Sequence, residues 1–140
     1  MGEERKFWDE EMETMPLDKL RKLQGERLQE LVTIAYDKTA LYRRKLDEAG
    51  VKPSDINTVE DISKLPFTED EDIRGKPLSE KLTIADNEVK VFSSTSGTTT
   101  GIPEPIVLTK KDFDAFLYGE ARSKWAMGVR PDDVIQIMTR

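Results

Sequence analysis

Hydrophobic residues in the first part of the chain recur at helical spacing. Between Leu17 and Asp37 the apolar positions are Leu20, Leu23, Leu28, Leu31, Val32 and Ala35. This repeat is typical of one face of an amphipathic helix, so we predict a helix over this stretch. A shorter apolar stripe predicts an earlier helix from Glu4 to Thr14, which Pro16 ends because its ring lacks an N–H.

Further helices follow, each marked by its boundary residues. A segment from roughly Thr39 to Ala49 ends at Gly50, a residue suited to the left-handed position after a helix. Two capping boxes, with a hydroxyl residue three positions before a carboxylate, predict two short helices around residues 65–67. They pair Thr58 with Asp61 and Thr68 with Glu71.

After Asn87 the alternation of side chains changes from a helical to a strand-like period. It predicts a strand near 88–93, a second strand at 106–108 and a buried strand at 133–138. Between the last two, Thr109 and Asp112 form a capping box for a long helix that ends at Gly128.

These elements predict a mixed α/β fold that is incomplete. Residues 1–87 form an N-terminal helical region, and residues 88–140 form the start of an α/β subdomain. Because an apolar strand at 133–138 needs neighbours on both its edges and faces, we expect the chain to be part of a larger protein. A natural small domain is the alternative.

Composition excludes several classes of function. The formal net charge of −6 over 140 residues is opposite in sign to that of a nucleic-acid-binding surface. The chain has no cysteine and no histidine, which excludes disulfides, thiolate or histidine metal ligands and a Ser-His-Asp triad within it. No apolar run is long enough to cross a bilayer and the N-terminus lacks a secretory signal, so we expect a cytoplasmic protein without membrane or nucleic-acid partners.

The stretch from Ser93 to Pro103 carries the candidate chemistry. It contains hydroxyl residues and two glycines between two predicted strands, and a rigid Pro-Glu-Pro follows it. Hydroxyls and unobstructed backbone N–H groups can form a concave anion site, so the loop is a candidate for phosphate binding. A flexible Ser/Thr linker is the alternative. A P-loop is excluded because no Gly-Lys-Ser/Thr ending is present and a strand follows.

The loop resembles the phosphate-binding signature of adenylate-forming enzymes, which reads Ser-Ser-Gly-Thr-Thr-Gly-x-Pro. The candidate nucleotide phosphate-binding residues are Ser94, Thr95, Ser96, Gly97, Thr98, Thr99, Thr100 and Gly101. Surrounding segments resemble the phenylacetate–CoA ligase branch over essentially the whole chain. They are Phe7-Trp8-Asp9, the helix from Leu28 to Tyr36, Ala40 to Lys45, Asp47 to Val51, Leu65 to Thr68 and Leu108 to Asp112.

Two departures from that signature concern the loop itself. One threonine among residues 98–100 is additional, which lengthens the loop. The lysine that follows the proline in many adenylate-forming enzymes is Glu104 here, so one candidate phosphate partner is missing.

The resemblance implies an AMP-forming aryl-acid CoA ligase that uses ATP, Mg²⁺ and coenzyme A, with an aromatic carboxylate as substrate. It implies no catalytic residue within these 140 residues, and it places the adenine, magnesium and most acyl contacts after Arg140. The oligomeric state is left open, a homodimer included. Two alternatives remain: an adenylyltransferase of the deazaflavin-adenylating type, and a non-catalytic helical interaction fragment.

Overall fold

A computed structural model of the chain describes residues 5–97, 101, 103–136 and 138. Its helices are α1 (Glu10–Glu13), α2 (Leu17–Lys38), α3 (Ala40–Glu48), α4 (Asp70–Ile73) and α5 (Lys110–Ala126). Its strands are β1 (Val91–Ser94) and β2 (Pro105–Leu108), and short 3-10 helices lie at Pro53–Asp55, Val59–Lys64, Leu78–Glu80 and Asp86–Glu88. The mixed α/β class predicted from the sequence is confirmed: a helical layer precedes a small sheet and one long helix.

The core lies where α2 and α3 meet the segment that follows them. Val32, Leu46 and Ile56 form its buried centre, and Ile56 is completely inaccessible to solvent. The surrounding half-buried side chains are Leu28, Tyr36, Val51 and Leu65. Leu28 and Val32 of the apolar stripe predicted for α2 therefore face this core, as hydrophobic burial favours. Leu31 of the same stripe is 63% exposed.

A single buried threonine joins α2 to α3. The Thr39 hydroxyl donates to the carbonyl of Ala35 at 2.8 Å and accepts the N–H of Tyr42 at 3.2 Å. One side chain therefore satisfies a carbonyl at the end of α2 and an amide at the start of α3, which are the groups that helix ends leave without partners. The sharp turn between the two helices follows from this pairing.

The first capping box predicted from the sequence is confirmed. The Asp61 carboxylate accepts the N–H groups of Asn57 and Thr58 at 2.8 and 2.9 Å, and the Lys64 ammonium lies 2.8 Å from it. These contacts hold the pKa of Asp61 well below its usual value. The Lys64 ammonium is the largest cause, and the two amides follow.

The second predicted box is wrong by one residue. Glu69, not Thr68, precedes α4, and the carboxylate that closes the box is Asp72, not Glu71. Asp72 also pairs with the half-buried ammonium of Lys45 on α3. This tertiary contact selects Asp72, which local spacing alone could not do.

Gly25 allows a close approach of the backbone of Asn57 and Thr58 to α2. A Cβ at this buried position would lie 3.2 Å from both the Asn57 carbonyl oxygen and the Thr58 Cα. Both neighbours are backbone atoms, so they cannot rotate away as the end of a side chain would. The absence of a side chain here lets the segment before the 3-10 helix at Val59–Lys64 pack on α2.

The N-terminal helix is shorter than the predicted 4–14 stretch because the residues before it pack on α5. The Trp8 and Trp125 rings are 5.8 Å apart, and the Trp125 indole N–H donates to the Lys6 carbonyl at 3.3 Å. The Arg130 guanidinium lies 4.2 Å from the centre of the Trp125 ring, a cation–π contact that adds to this packing. The non-helical segment before α1 therefore packs on α5 instead of continuing the helix.

The strands form an antiparallel hairpin, with Val91 opposite Leu108 and Ser94 opposite Pro105. The predicted cap of the long helix is confirmed, since Thr109 and Asp112 close a box at the start of α5. The strand predicted at 133–138 is wrong for the residues the structure describes: 133–136 and 138 have no strand conformation, and Val134 is fully exposed. A strand exists only when a neighbour pairs with its backbone, and within the described ranges none does.

In the part of the chain described by the structure, no helix combines the length and apolar character that a membrane span needs.

Gly25→Ala should destabilise the protein, although alanine is the better helix former. Alanine in a helix interior gains about 1 kcal/mol over glycine, but the contacts with Asn57 and Thr58 should outweigh this gain by about 1 kcal/mol. The matched control is Gly119→Ala in the exposed part of α5, where an added Cβ meets nothing within 4 Å. Urea unfolding should show a lower free energy of unfolding for the first variant and a higher one for the second. Equal stabilisation by both would contradict the close packing at Gly25.

Candidate functional site

The hydroxyl-rich stretch connects β1 to β2 and is closed by a pair of residues at its base. The Thr95 N–H donates to the Glu104 carbonyl at 2.9 Å. The Glu104 N–H donates in return to the Thr95 Oγ1 at 2.9 Å. This reciprocal pairing continues the hairpin ladder by one step, so the stretch between the two residues is held at both ends.

Two glycines shape the connection beyond that base. Gly97 has a φ of 67° and Gly101 a φ of 74°, a region of backbone conformation that other residues rarely adopt. The Gly101 N–H donates to the Gly97 carbonyl at 2.7 Å. A Cβ on Gly101 would meet nothing within 4 Å, so the requirement for glycine there is set by the backbone angle and not by crowding.

The predicted site residues fall into three groups. Ser94 is the last residue of β1, and Thr95, Ser96 and Gly101 are exposed in the connection, with Gly97 half-buried. Thr98, Thr99 and Thr100 lie outside the described residues. The described part of the loop therefore faces solvent and is not packed inward, as a site for a soluble phosphate ligand requires.

Sequence reasoning missed a group beside the base of this loop. The Lys81 ammonium lies 3.1 Å from the Glu104 carboxylate and donates to the Ile73 carbonyl at 3.0 Å. Lys81 and Glu104 are 23 positions apart, and no local pattern marks Lys81. The fold brings together a cation and the residue that stands where many adenylate-forming enzymes carry lysine.

A cavity of about 270 Å³ lies against the same ion pair. Lys81, Glu104 and Pro105 contribute to its wall from the loop side, and Tyr42 contributes from α3. The rest of the lining is aliphatic: Leu41, Ile73, Leu78, Leu82 and Val107. The ion pair is thus set among apolar side chains, where solvent screens it less than on an open surface.

Across the described ranges, no group of three or more acidic side chains is arranged to hold a metal ion.

No protein-family model matches the chain, but solved structures place its fold. It matches 2-hydroxyisobutyryl-CoA ligase bound to 2-HIB-AMP in the postadenylation state, with a TM-score of 0.82 and 29% identity. The match covers 95% of this chain and 28% of that protein. The same ligase with 2-HIB-AMP and CoA in the thioesterification state matches with a TM-score of 0.82 and 31% identity. The fold is therefore that of one part of an adenylate-forming CoA ligase.

Curated relatives of the chain are phenylacetate–coenzyme A ligases. The chain is 41% identical over 125 residues to the phenylacetate–coenzyme A ligase of Thermus thermophilus, and 35% identical over 126 residues to that of Escherichia coli. These matches cover 89% and 90% of this chain but only 28% and 29% of the relatives. The predicted resemblance is confirmed: the chain is related over nearly all its length to part of a phenylacetate–CoA ligase.

Thr95→Val should weaken the base of the loop, because valine has a similar shape but cannot accept the Glu104 N–H. We expect a loss of about 1 kcal/mol in the free energy of unfolding, the usual contribution of a neutral hydrogen bond. Thr95→Ser is the matched control, since it keeps the accepting oxygen and should cost less. Urea unfolding measures both, and equal losses for the two variants would show that the hydroxyl does not stabilise the hairpin.

Proposed function

We propose that this chain is the part of an AMP-forming aryl-acid CoA ligase that holds the polyphosphate of ATP. The acid is of the phenylacetate type. The observation that supports the proposal most is the exposed loop, pinned at its base by Thr95 and Glu104 and bent at two glycines with positive φ. The similarity of the chain to phenylacetate–CoA ligases adds the chemical context.

In the proposed reaction, a carboxylate oxygen of the acid attacks the α-phosphorus of ATP and pyrophosphate leaves. The thiol of CoA then attacks the acyl carbon of the adenylate and AMP leaves. The loop acts on the first step by holding the β- and γ-phosphates so that the α-phosphorus faces the carboxylate. Its own contribution is geometric and electrostatic, and it forms no covalent bond.

The donors for this task are hydroxyl and backbone groups. We assign hydroxyl contacts to Thr95, Ser96, Thr98 and Thr99, and close backbone approach to Gly97 and Gly101. The Thr95 oxygen accepts the Glu104 N–H, so its own hydroxyl hydrogen is the part that donates to phosphate. Ser94 and Thr100 flank these positions and belong to the same proposed phosphate site.

Other parts of the reaction are assigned outside this chain. Magnesium supplies the main counter-charge to the polyphosphate, and its ligands, the adenine contacts and the catalytic residues lie elsewhere in the proposed enzyme. Residues 1–87 then serve as a helical support, and residues 88–140 open the nucleotide-binding subdomain. A cytoplasmic location fits this use of ATP and CoA. By itself the chain should bind ATP weakly and catalyse no reaction.

Gly97→Val should abolish ATP binding in the complete enzyme and leave it folded. Valine is strained at a φ of 67°, and its branched side chain would occupy space that phosphate needs. The matched control is Gly50→Val, which has the same φ of 67° at the end of α3 and lies outside the loop. Isothermal titration with ATP and Mg²⁺ should detect binding in the control and none in Gly97→Val. Unchanged ATP affinity in Gly97→Val would refute the phosphate-binding role.

The reaction itself is tested by measuring AMP and pyrophosphate release by the complete enzyme with phenylacetate and CoA. Release that depends on both supports the ligase. Pyrophosphate release that needs neither, but does need a hydroxyl-bearing cofactor, would favour an adenylyltransferase, which forms no free AMP because AMP stays bonded to that cofactor. A helical interaction fragment would show no change in the amide spectrum around Gly97 when ATP and Mg²⁺ are added to this chain.

A further inference from the structure

The ion pair between Lys81 and Glu104, like that between Lys45 and Asp72, is partly buried. The Lys81 side chain is 15% exposed and that of Glu104 28%, whereas the Lys22 and Glu26 side chains of a helical pair are 79% and 62% exposed. Pairs in open solvent contribute little because water and salt screen them, while a partly desolvated pair holds its geometry more firmly. The pair is therefore suited to fix a backbone position.

The position that it fixes is the base of the candidate phosphate loop. Lys81 is anchored by its bond to the carbonyl of Ile73, the last residue of α4, and it holds the carboxylate of Glu104. The backbone of Glu104 in turn holds both the N–H and the hydroxyl oxygen of Thr95. A continuous set of contacts thus runs from the helical layer to the first residue of the loop.

The same pair also determines the charge next to the loop. Glu104 places a carboxylate one residue beyond the end of the predicted motif, where it would repel a bound polyphosphate. The ammonium at 3.1 Å compensates this charge. Loss of Lys81 would therefore both release the base of the loop and leave a negative charge beside the proposed phosphates.

We propose that Lys81 is a positioning residue for the phosphate loop, acting through Glu104 and Thr95 on the binding of a nucleoside triphosphate. The proposal rests on the function proposed above and adds a residue outside the loop motif. Lys81 contacts no phosphate itself. Its effect is on the affinity for ATP and not on that for the carboxylate substrate.

The first test uses this chain without ligand, comparing Lys81→Met and Lys81→Arg by amide hydrogen exchange. In Lys81→Met the Thr95 amide should exchange about tenfold faster, the factor that corresponds to a lost hydrogen bond to a charged group. The Lys90 amide, which donates to Leu108 at the other end of the hairpin, should keep its protection. Lys81→Arg should resemble the unaltered chain. No change at Thr95, or an equal change at Lys90, would overturn the proposal.

The second test measures the KM values for ATP and for the carboxylate in the complete enzyme. Lys81→Met should raise the KM for ATP about tenfold and leave that for the carboxylate unchanged, while Lys81→Arg should restore it. Lys22→Met, which breaks an exposed ion pair on α2, is the control for loss of charge.

The outcomes distinguish the role of Lys81 from the proposed function on which it rests. If Gly97→Val abolishes ATP binding and Lys81→Met leaves it unaltered, the role of Lys81 is overturned and the phosphate loop stands. If neither variant affects ATP binding, the proposed function fails, whatever happens to the exchange of the Thr95 amide.

Discussion

The pairing of Thr95 with Glu104 is the interaction on which the candidate site depends. Two hydrogen bonds of 2.9 Å close the base of the connection between β1 and β2. Without them the hydroxyl-rich stretch would be a flexible linker, since its own residues have low preference for regular structure. With them, the positive φ angles at Gly97 and Gly101 become fixed features of a turn that opens to solvent.

The helical layer has a part in this arrangement, because one side of the loop is tied to it. Lys81 joins the Ile73 carbonyl to the Glu104 carboxylate, so the hairpin is linked to the end of α4. On the other side, α5 starts directly after β2 and is held by the Trp8–Trp125 contact with the N-terminal segment. The elements around the loop are thus connected both through the chain and through side chains.

Two observations from different parts of the fold show how packing overrides local signals. Gly25 would be a poor choice for the interior of a long helix on propensity alone. It is present because the backbone of Asn57 and Thr58 lies within 3.2 Å of where its Cβ would be. Similarly, the box before α4 uses Asp72 because Lys45 on α3 meets that carboxylate and not that of Glu71.

Local sequence patterns predict the class of the fold, the bounds of α2, α3 and α5 to within one or two residues, and the loop between two strands. These follow from periodicity and caps, which are local properties. The similarity to phenylacetate–CoA ligases was also predictable from the sequence, because the phosphate-binding motif is a contiguous stretch. Long-range packing, which local patterns do not encode, set the position of the short N-terminal helix, the capping box at α4 and the conformation of residues 133–136. It also decided the partner of Glu104, since Lys81 is 23 residues away and only folding brings their charges together.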